Sequence, residues 1–318
     1  MRTVPSESRY TVELGIKSDP ILYRYSWEWL FGLMRERNVP FLQLGSFFEL
    51  YSLDDSWFRD LRRMAEEYDV RISSCFTAHR ELGGLLSSDP RMRTAGMRNY
   101  RRFIEIAAIL GADYCGSNPG SIPRDRLEEK PDAIRRYQDA MCELSRYARR
   151  RGLRALTAEP MSSLAEPPTM IAEVLSMGEF FSRFHREEEN ETVPVYFCGD
   201  VSHGYADADR TVIESNMELF VAQIPYMCEF HYKNTDGAFN STFGFSPEER
   251  ERGIVDPEVV ISLLLQGRSR WPVETMVGYL ELPGPKLGRD YTDHLLGDEL
   301  HHSITAIQQA MAAPCSTG

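Results

Sequence analysis

No run of 18 apolar residues occurs in the 318-residue chain, so no membrane-spanning helix is expected. The opening segment, MRTVPSESRY, lacks the apolar core of a secretion signal, and a cytoplasmic protein is expected. The six cysteines (Cys75, Cys115, Cys142, Cys198, Cys228 and Cys315) include no C-x-x-C pair, and so long a chain does not use six as a disulfide framework. Most lie in apolar runs, where free cysteine acts as a small hydrophobe. There is no long basic block: 36 Lys and Arg stand against 48 Asp and Glu, for a net charge of −12. Nucleic-acid binders draw affinity from neutralising phosphates with cations, so a duplex-binding role is disfavoured. Gly15 and Gly45 stand alone, with no G-x-G-x-x-G turn, which argues against an open dinucleotide-binding sheet. No Pro/Ser-rich linker divides the chain.

What is present is ordinary globular composition, 42% hydrophobic and 26% charged, carried by a regular rhythm. Short apolar runs fall at Val12–Ile16, Phe41–Leu44, Val70–Cys75, Asp113–Gly116, Arg154–Glu159, Pro194–Asp200, Met227–Tyr232 and Val277–Leu282. Between and after them, helical periodicity covers Ile21–Arg37, Trp57–Tyr68, Met92–Leu110, Asp132–Arg150, Thr169–His185, Asp209–Ala222, Pro257–Leu265 and Asp293–Ala312. Parallel strands need crossover helices, and eight such units are the number that closes a (β/α)8 barrel. The spacing predicts one barrel domain over residues 1–318, with a long polar loop after strand seven, about 237–255.

In such barrels the active site lies at the C-terminal ends of the strands. Four consecutive strands end in potential metal ligands: Glu159 in LTAEP, Asp200 in YFCGDVSHG, His231 in CEFHYKN and Glu281 in GYLELPG. A lone acid after a strand is ordinarily a helix cap or a solvated loop residue. The joint pattern is what points to a metal. Side chains two apart on a strand share a face, so Asp200 goes with Cys198 and Tyr196, and Glu159 with Thr157 and Ala155. Three carboxylates and an imidazole suit Mn²⁺ or Mg²⁺, with Co²⁺ or Zn²⁺ as further candidates. Without a cation, three clustered carboxylates would repel one another.

These residues resemble the xylose-isomerase-like sugar phosphate isomerase/epimerase barrels, above all the ketose 3-epimerases. The resemblance spans nearly the whole chain and is most specific from Glu159 to Tyr291. It implies a Glu–Asp–His–Glu metal set at Glu159, Asp200, His231 and Glu281. It also implies a substrate contact at His203, through the D-x-x-H motif Asp200–His203. HYKNTDGAFNSTFGF and GYLELPGPKLGRDY are similar to a sugar-phosphate subgroup that includes tetrulose-phosphate racemases. There are departures. Gly237 stands where the 3-epimerases carry an Arg, and Ala165 where they carry a substrate Glu (Glu166 is one place on). Free hexuloses are therefore disfavoured as substrates. Endonuclease IV-type relatives need more His ligands than these seven histidines supply.

The resemblance implies proton transfer through a cis-enediolate, with Glu159 and Glu281 as the acid–base pair. Bases on both faces of the carbon invert it, as in C3 epimerisation of a small ketose phosphate such as a tetrulose 4-phosphate. A base on one face gives aldose–ketose isomerisation. Decarboxylation of a 3-oxo sugar acid uses the same intermediate, and a sugar-binding barrel without activity is the non-enzymatic alternative. Anion recognition is expected from Lys233, which shares the His231 face, and from Lys286 and Arg289 in the loop after strand eight. His79 and Arg80, after strand three, are candidates to close the pocket, although Arg80 also has Glu81 beside it as an ion-pair partner. Phe239, Phe243 and Phe245 in a long polar loop point to a lid or a subunit contact, and a homo-oligomer is expected.

Overall fold

Each short apolar run becomes a strand and nearly every amphipathic run a helix. The computed structural model describes residues 10–19, 24–45, 49, 52–282 and 293–313. Its strands are β1 (Thr11–Lys17), β2 (Phe41–Leu44), β3 (Arg71–Thr77), β4 (Tyr114–Ser117), β5 (Ala155–Ala158), β6 (Val195–Asp200), β7 (Met227–Tyr232) and β8 (Thr275–Leu280). They pair in parallel, each with its neighbours in sequence, and β8 pairs with β1 to close the barrel. Closure leaves no sheet edge.

The outer helices are α1 (Trp27–Glu36), α2 (Asp55–Glu67), α3 (Pro90–Leu110), α4 (Lys130–Arg151), α5 (Ile171–Glu187), α6 (Asn216–Gln223), α7 (Pro257–Gly267) and α8 (Asp293–Ala312). Their ends follow local chemistry. Ser26, Asp54 and Asp89 accept backbone N–H groups at the starts of α1, α2 and α3. Gly111 and Gly152 end α3 and α4 with φ of 73° and 83°, a conformation that costs glycine least. Inward stripes such as Leu30, Phe31 and Met34 on α1, and Tyr100, Phe103, Ile104 and Ala107 on α3, pack against the strands. Each such side chain contributes about 1.5–3 kcal/mol of burial.

Two expectations are corrected. The helix expected over Asp209–Ala222 begins only at Asn216. The Asp207 carboxylate accepts the N–H groups of Asp209 and Thr211, Arg210 takes φ 62°, and Tyr205–Ala206 pairs with Val212–Glu214 as a small hairpin. Side chain-to-backbone bonding thus outcompetes helix there. In the first expected helix, residues 24–26 are not helical and α1 starts at Trp27, where Ser26 caps it; residues 21–23 lie outside the described residues. The loop after β7 contains a short helix, Pro247–Arg252.

The barrel interior is layered. Tyr114, Ala155 and Cys228 cluster together with Tyr196 packed on them. Next come the buried polar side chains Gln43, Ser74, Thr157 and Glu229, and beyond them the C-terminal strand ends. Gly15 makes room for this filling: a Cβ there would lie 2.6 Å from Cε1 of Tyr279 and 2.8 Å from the Phe41 carbonyl oxygen.

Candidate metal centre

Strand alternation brings the four expected ligands to one point. One ligand atom from each of Glu159, Asp200, His231 and Glu281 lies within 4.8 Å of the others. Nδ1 of His231 is 2.9 Å from Glu159 Oε1, 3.4 Å from Glu281 Oε2 and 3.8 Å from Asp200 Oδ2. His231 and Asp200 are fully buried and Glu159 nearly so. Asp200 Oδ1 is fixed by the backbone N–H of Ser202 at 2.7 Å and its hydroxyl at 2.6 Å. Asp200 Oδ2 faces the other ligands, 3.8 Å from His231 Nδ1, and is ion-paired with Lys233. Three converging carboxylates and an imidazole nitrogen, two of the four side chains fully buried, form a donor set that fits a hard or borderline divalent ion.

Two lysines complete the charge pattern. Lys233 Nζ lies 2.7 Å from Asp200 Oδ2 and 3.0 Å from Glu281 Oε2. Lys17, at the end of β1, pairs with Asp19 and sits 2.6 Å from Glu281 Oε1. Burial would raise the Glu281 carboxyl, but Lys17 and Lys233 on its two oxygens hold it well below the ordinary carboxylate range. Burial likewise opposes the Asp200 charge, which His203 and Lys233 restore, so its pKa is lowered. Burial disfavours a charged His231, and the carboxylates of Glu281 and Glu159 reverse this, raising its pKa. Asp200 and Glu281 thus owe their lowered pKa to the cations around them.

Above the centre opens a cavity of about 590 Å³. Glu166, His203, Lys233, Thr235, Phe239 and Asn240 are among its lining residues. His203 is oriented by the Pro160 carbonyl oxygen, 2.7 Å from Nδ1, and holds Nε2 3.6 Å from Asp200 Oδ2. Phe239 leans on Gly204, where an added Cβ would meet its ring at 2.5 Å.

Of the expected site residues, Glu159, Asp200, His231, Glu281, His203 and Lys233 come together. His79 and Arg80 do not join them. They line a separate cavity of about 370 Å³ between the short helix His79–Leu82 and α4, and Arg80 is three-quarters exposed and 3.5 Å from Glu81. Lys286 and Arg289 lie outside the described residues. The loop aromatics divide: Phe239 faces the cavity, Phe243 lies under the Arg252 guanidinium at 4.6 Å, and Phe245 is buried against Tyr232. Two of the three therefore anchor the loop instead of forming a lid.

Lys17, Gln43, Ser202 and Glu229 were not among the expected residues. A search for acids and histidines at strands five to eight passes over a lysine on β1. Gln43 in FLQL carries the signal of a lone polar residue on an otherwise apolar strand, and Glu229 in MCEFHY that of a second polar residue two places before His231.

The sequence profile of the xylose isomerase-like TIM barrels matches residues 37–272. No curated protein matches the sequence. Among solved structures, a xylose isomerase candidate from Rhodospirillum rubrum ATCC 11170 is similar with a TM-score of 0.74 and 19% identity, over 95% of this chain and 100% of that one. A D-psicose 3-epimerase from Clostridium cellulolyticum H10, crystallised with D-tagatose, aligns at TM-score 0.67 and 13% identity, over 94% and 96%. The IolI protein with a bound zinc atom aligns at 0.67 and 14%, over 95% and 100%. At these identities the likeness is one of fold.

Proposed function

The chain belongs to the xylose isomerase-like TIM barrel family, and from that premise we propose that it is a divalent-metal-dependent sugar phosphate epimerase working through a cis-enediolate. The substrate proposed is a small ketose phosphate such as a tetrulose 4-phosphate, inverted at C3. The observation that carries this reading is the convergence of Glu159, Asp200, His231 and Glu281 within 4.8 Å, beneath a polar cavity. Neighbours of the same fold add support, one an epimerase and one a zinc-binding protein.

The ion, Mn²⁺ or Mg²⁺, would be held by those four side chains and supply Lewis acidity next to the reacting C–H. Glu159 and Glu281 are assigned as the proton acceptor and donor. They stand just beyond the C-terminal ends of two different strands, β5 and β8. His203 is assigned to a substrate oxygen, its ring held in place by the Pro160 carbonyl. Lys233 is assigned to the oxygen that gains negative charge, since it reaches the centre from the cavity wall. Lys286 and Arg289 are proposed to take the phosphate, in the loop position where barrels often bind it. The burial of the centre limits water access to the enediolate.

A second reading, decarboxylation of a 3-oxo sugar acid, is favoured by one observation. Two ammonium groups, Lys17 and Lys233, flank Glu281 at the metal end of the cavity, where a substrate carboxylate would lie beside the reacting carbon. Solvent deuterium appearing at C3 without CO₂ supports the epimerase, and CO₂ release supports the decarboxylase. With metal bound, Glu159→Gln and Glu281→Gln are each expected to lower turnover by roughly 10²–10⁴-fold. Full turnover in both would remove the acid–base assignment.

A further inference from the structure

His231 is the single nitrogen ligand of the candidate centre, and a neutral imidazole offers only one lone pair. Which nitrogen carries the proton therefore decides whether the ring can bind a cation at all. The nitrogen facing the carboxylates is Nδ1. The other, Nε2, lies 2.8 Å from Oε1 of Gln43, which reaches across the barrel interior from β2. Both residues are fully buried, and Phe76 packs edge-on to the imidazole at 5.1 Å between centroids.

The Gln43 amide is itself oriented. Its Nε2 donates to Ser74 Oγ at 3.3 Å and lies 4.0 Å from Cys198 Sγ. Beneath the centre, Glu229 accepts from the Thr157 hydroxyl, 2.9 Å from Oε1. With the amide nitrogen turned toward Ser74, only the amide oxygen is left for His231. An amide oxygen is an acceptor, so the proton on His231 must sit on Nε2. The lone pair is thereby placed on Nδ1, facing Glu159, Asp200 and Glu281. Cys198 Sγ, 3.4 Å from Nε2, is a weak partner that does not compete with an amide oxygen.

We propose that Gln43 is the positioning residue of the metal centre, fixing His231 as the Nε2–H tautomer so that Nδ1 is the nitrogen ligand. The inference rests on the metal-centre reading above. Gln43 acts through His231 and touches neither ion nor substrate. Partners of this kind typically tune metal affinity by 10–100-fold.

The test has two arms. In the first, ¹⁵N-histidine-labelled wild-type protein is loaded with Zn²⁺, which is diamagnetic, and the His231 nitrogens are assigned by NMR. The expected result is a protonated Nε2 and a metal-shifted Nδ1; a protonated Nδ1 with Zn²⁺ on Nε2 overturns the proposal, whatever any variant does. In the second, MnCl₂ is titrated calorimetrically into metal-stripped wild type and Gln43→Leu. The variant is expected to bind roughly 10–100-fold more weakly, with the unfolding temperature of its metal-free form little changed. Equal affinity overturns the proposal. If Gln43→Leu does not fold, the wild-type NMR assignment decides alone. If wild type takes up neither ion, the metal-centre reading fails and this inference with it; if wild type binds and the proton is misplaced, only this inference fails.

Discussion

Replacing Glu229 by Gln should make the protein more stable at high pH and change it little at low pH. Glu229 is fully buried in the barrel; Thr157 donates to Oε1 at 2.9 Å, and among the described residues Oε2 has no hydrogen-bond partner. Burial pushes its carboxyl up from the ordinary 4.5 to about 7, against smaller opposing effects of Ser74 and Thr157. The unfolded chain gives up this proton near pH 4.5, whereas the folded protein keeps it to about pH 7. Stability from this group is therefore full below pH 4.5 and drains away as pH rises through 7. Between pH 5 and pH 8 the loss is about 2.5 kcal/mol at 1.36 kcal/mol per pH unit. A Gln side chain is neutral throughout and escapes it. With roughly 2.1 cal/mol/K of unfolding entropy per residue over 318 residues, that difference is about 4 °C in Tm. Thermal unfolding of wild type and Glu229→Gln in chelator, at pH 5 and pH 8, gives the comparison. A Tm difference that stays constant across this range would refute the buried, proton-holding carboxyl.

Gly15→Ala forces a Cβ to within 2.6 Å of the Tyr279 ring and 2.8 Å of a backbone oxygen, so urea unfolding should show a loss of about 1–3 kcal/mol or more. Mn²⁺ at a hundred times its Kd should stabilise wild type by about 2.7 kcal/mol, or roughly 4 °C in Tm. Asp200→Asn, which removes one charge from the ligand set, should abolish most of that shift in the same thermal scan.

Much of the fold was legible because barrel strands are short apolar runs between amphipathic helices, and that rhythm survives without knowledge of contacts. Phe41–Leu44, Met227–Tyr232 and Asp293–Ala312 fall where the pattern puts them. The segment after Asp207 was misread because its apolar spacing resembles a helix, while a local Asx turn and the β-branched pair Val212–Ile213 favour a hairpin. The four candidate ligands were legible because strand ends share one rim. Of the cations at the centre, Lys233 was legible beside His231, but Lys17 was not, and neither was Gln43. Lys17 and Gln43 meet Glu281 and His231 only through barrel closure, across 264 and 188 residues of sequence. No local spacing encodes such a contact. His79 and Arg80 were misplaced for the opposite reason: they follow a barrel strand, yet the short helix they form turns them toward a neighbouring cavity.

Crystals grown with Mn²⁺ and measured at the manganese absorption edge would show whether an ion belongs among these side chains. The expected result is one anomalous peak bound by Glu159, Asp200, Nδ1 of His231 and Glu281 at about 2.0–2.6 Å. Carboxylates still paired with Lys17 and Lys233, with no peak between them at saturating Mn²⁺, would contradict a metal-dependent enzyme and leave only the barrel.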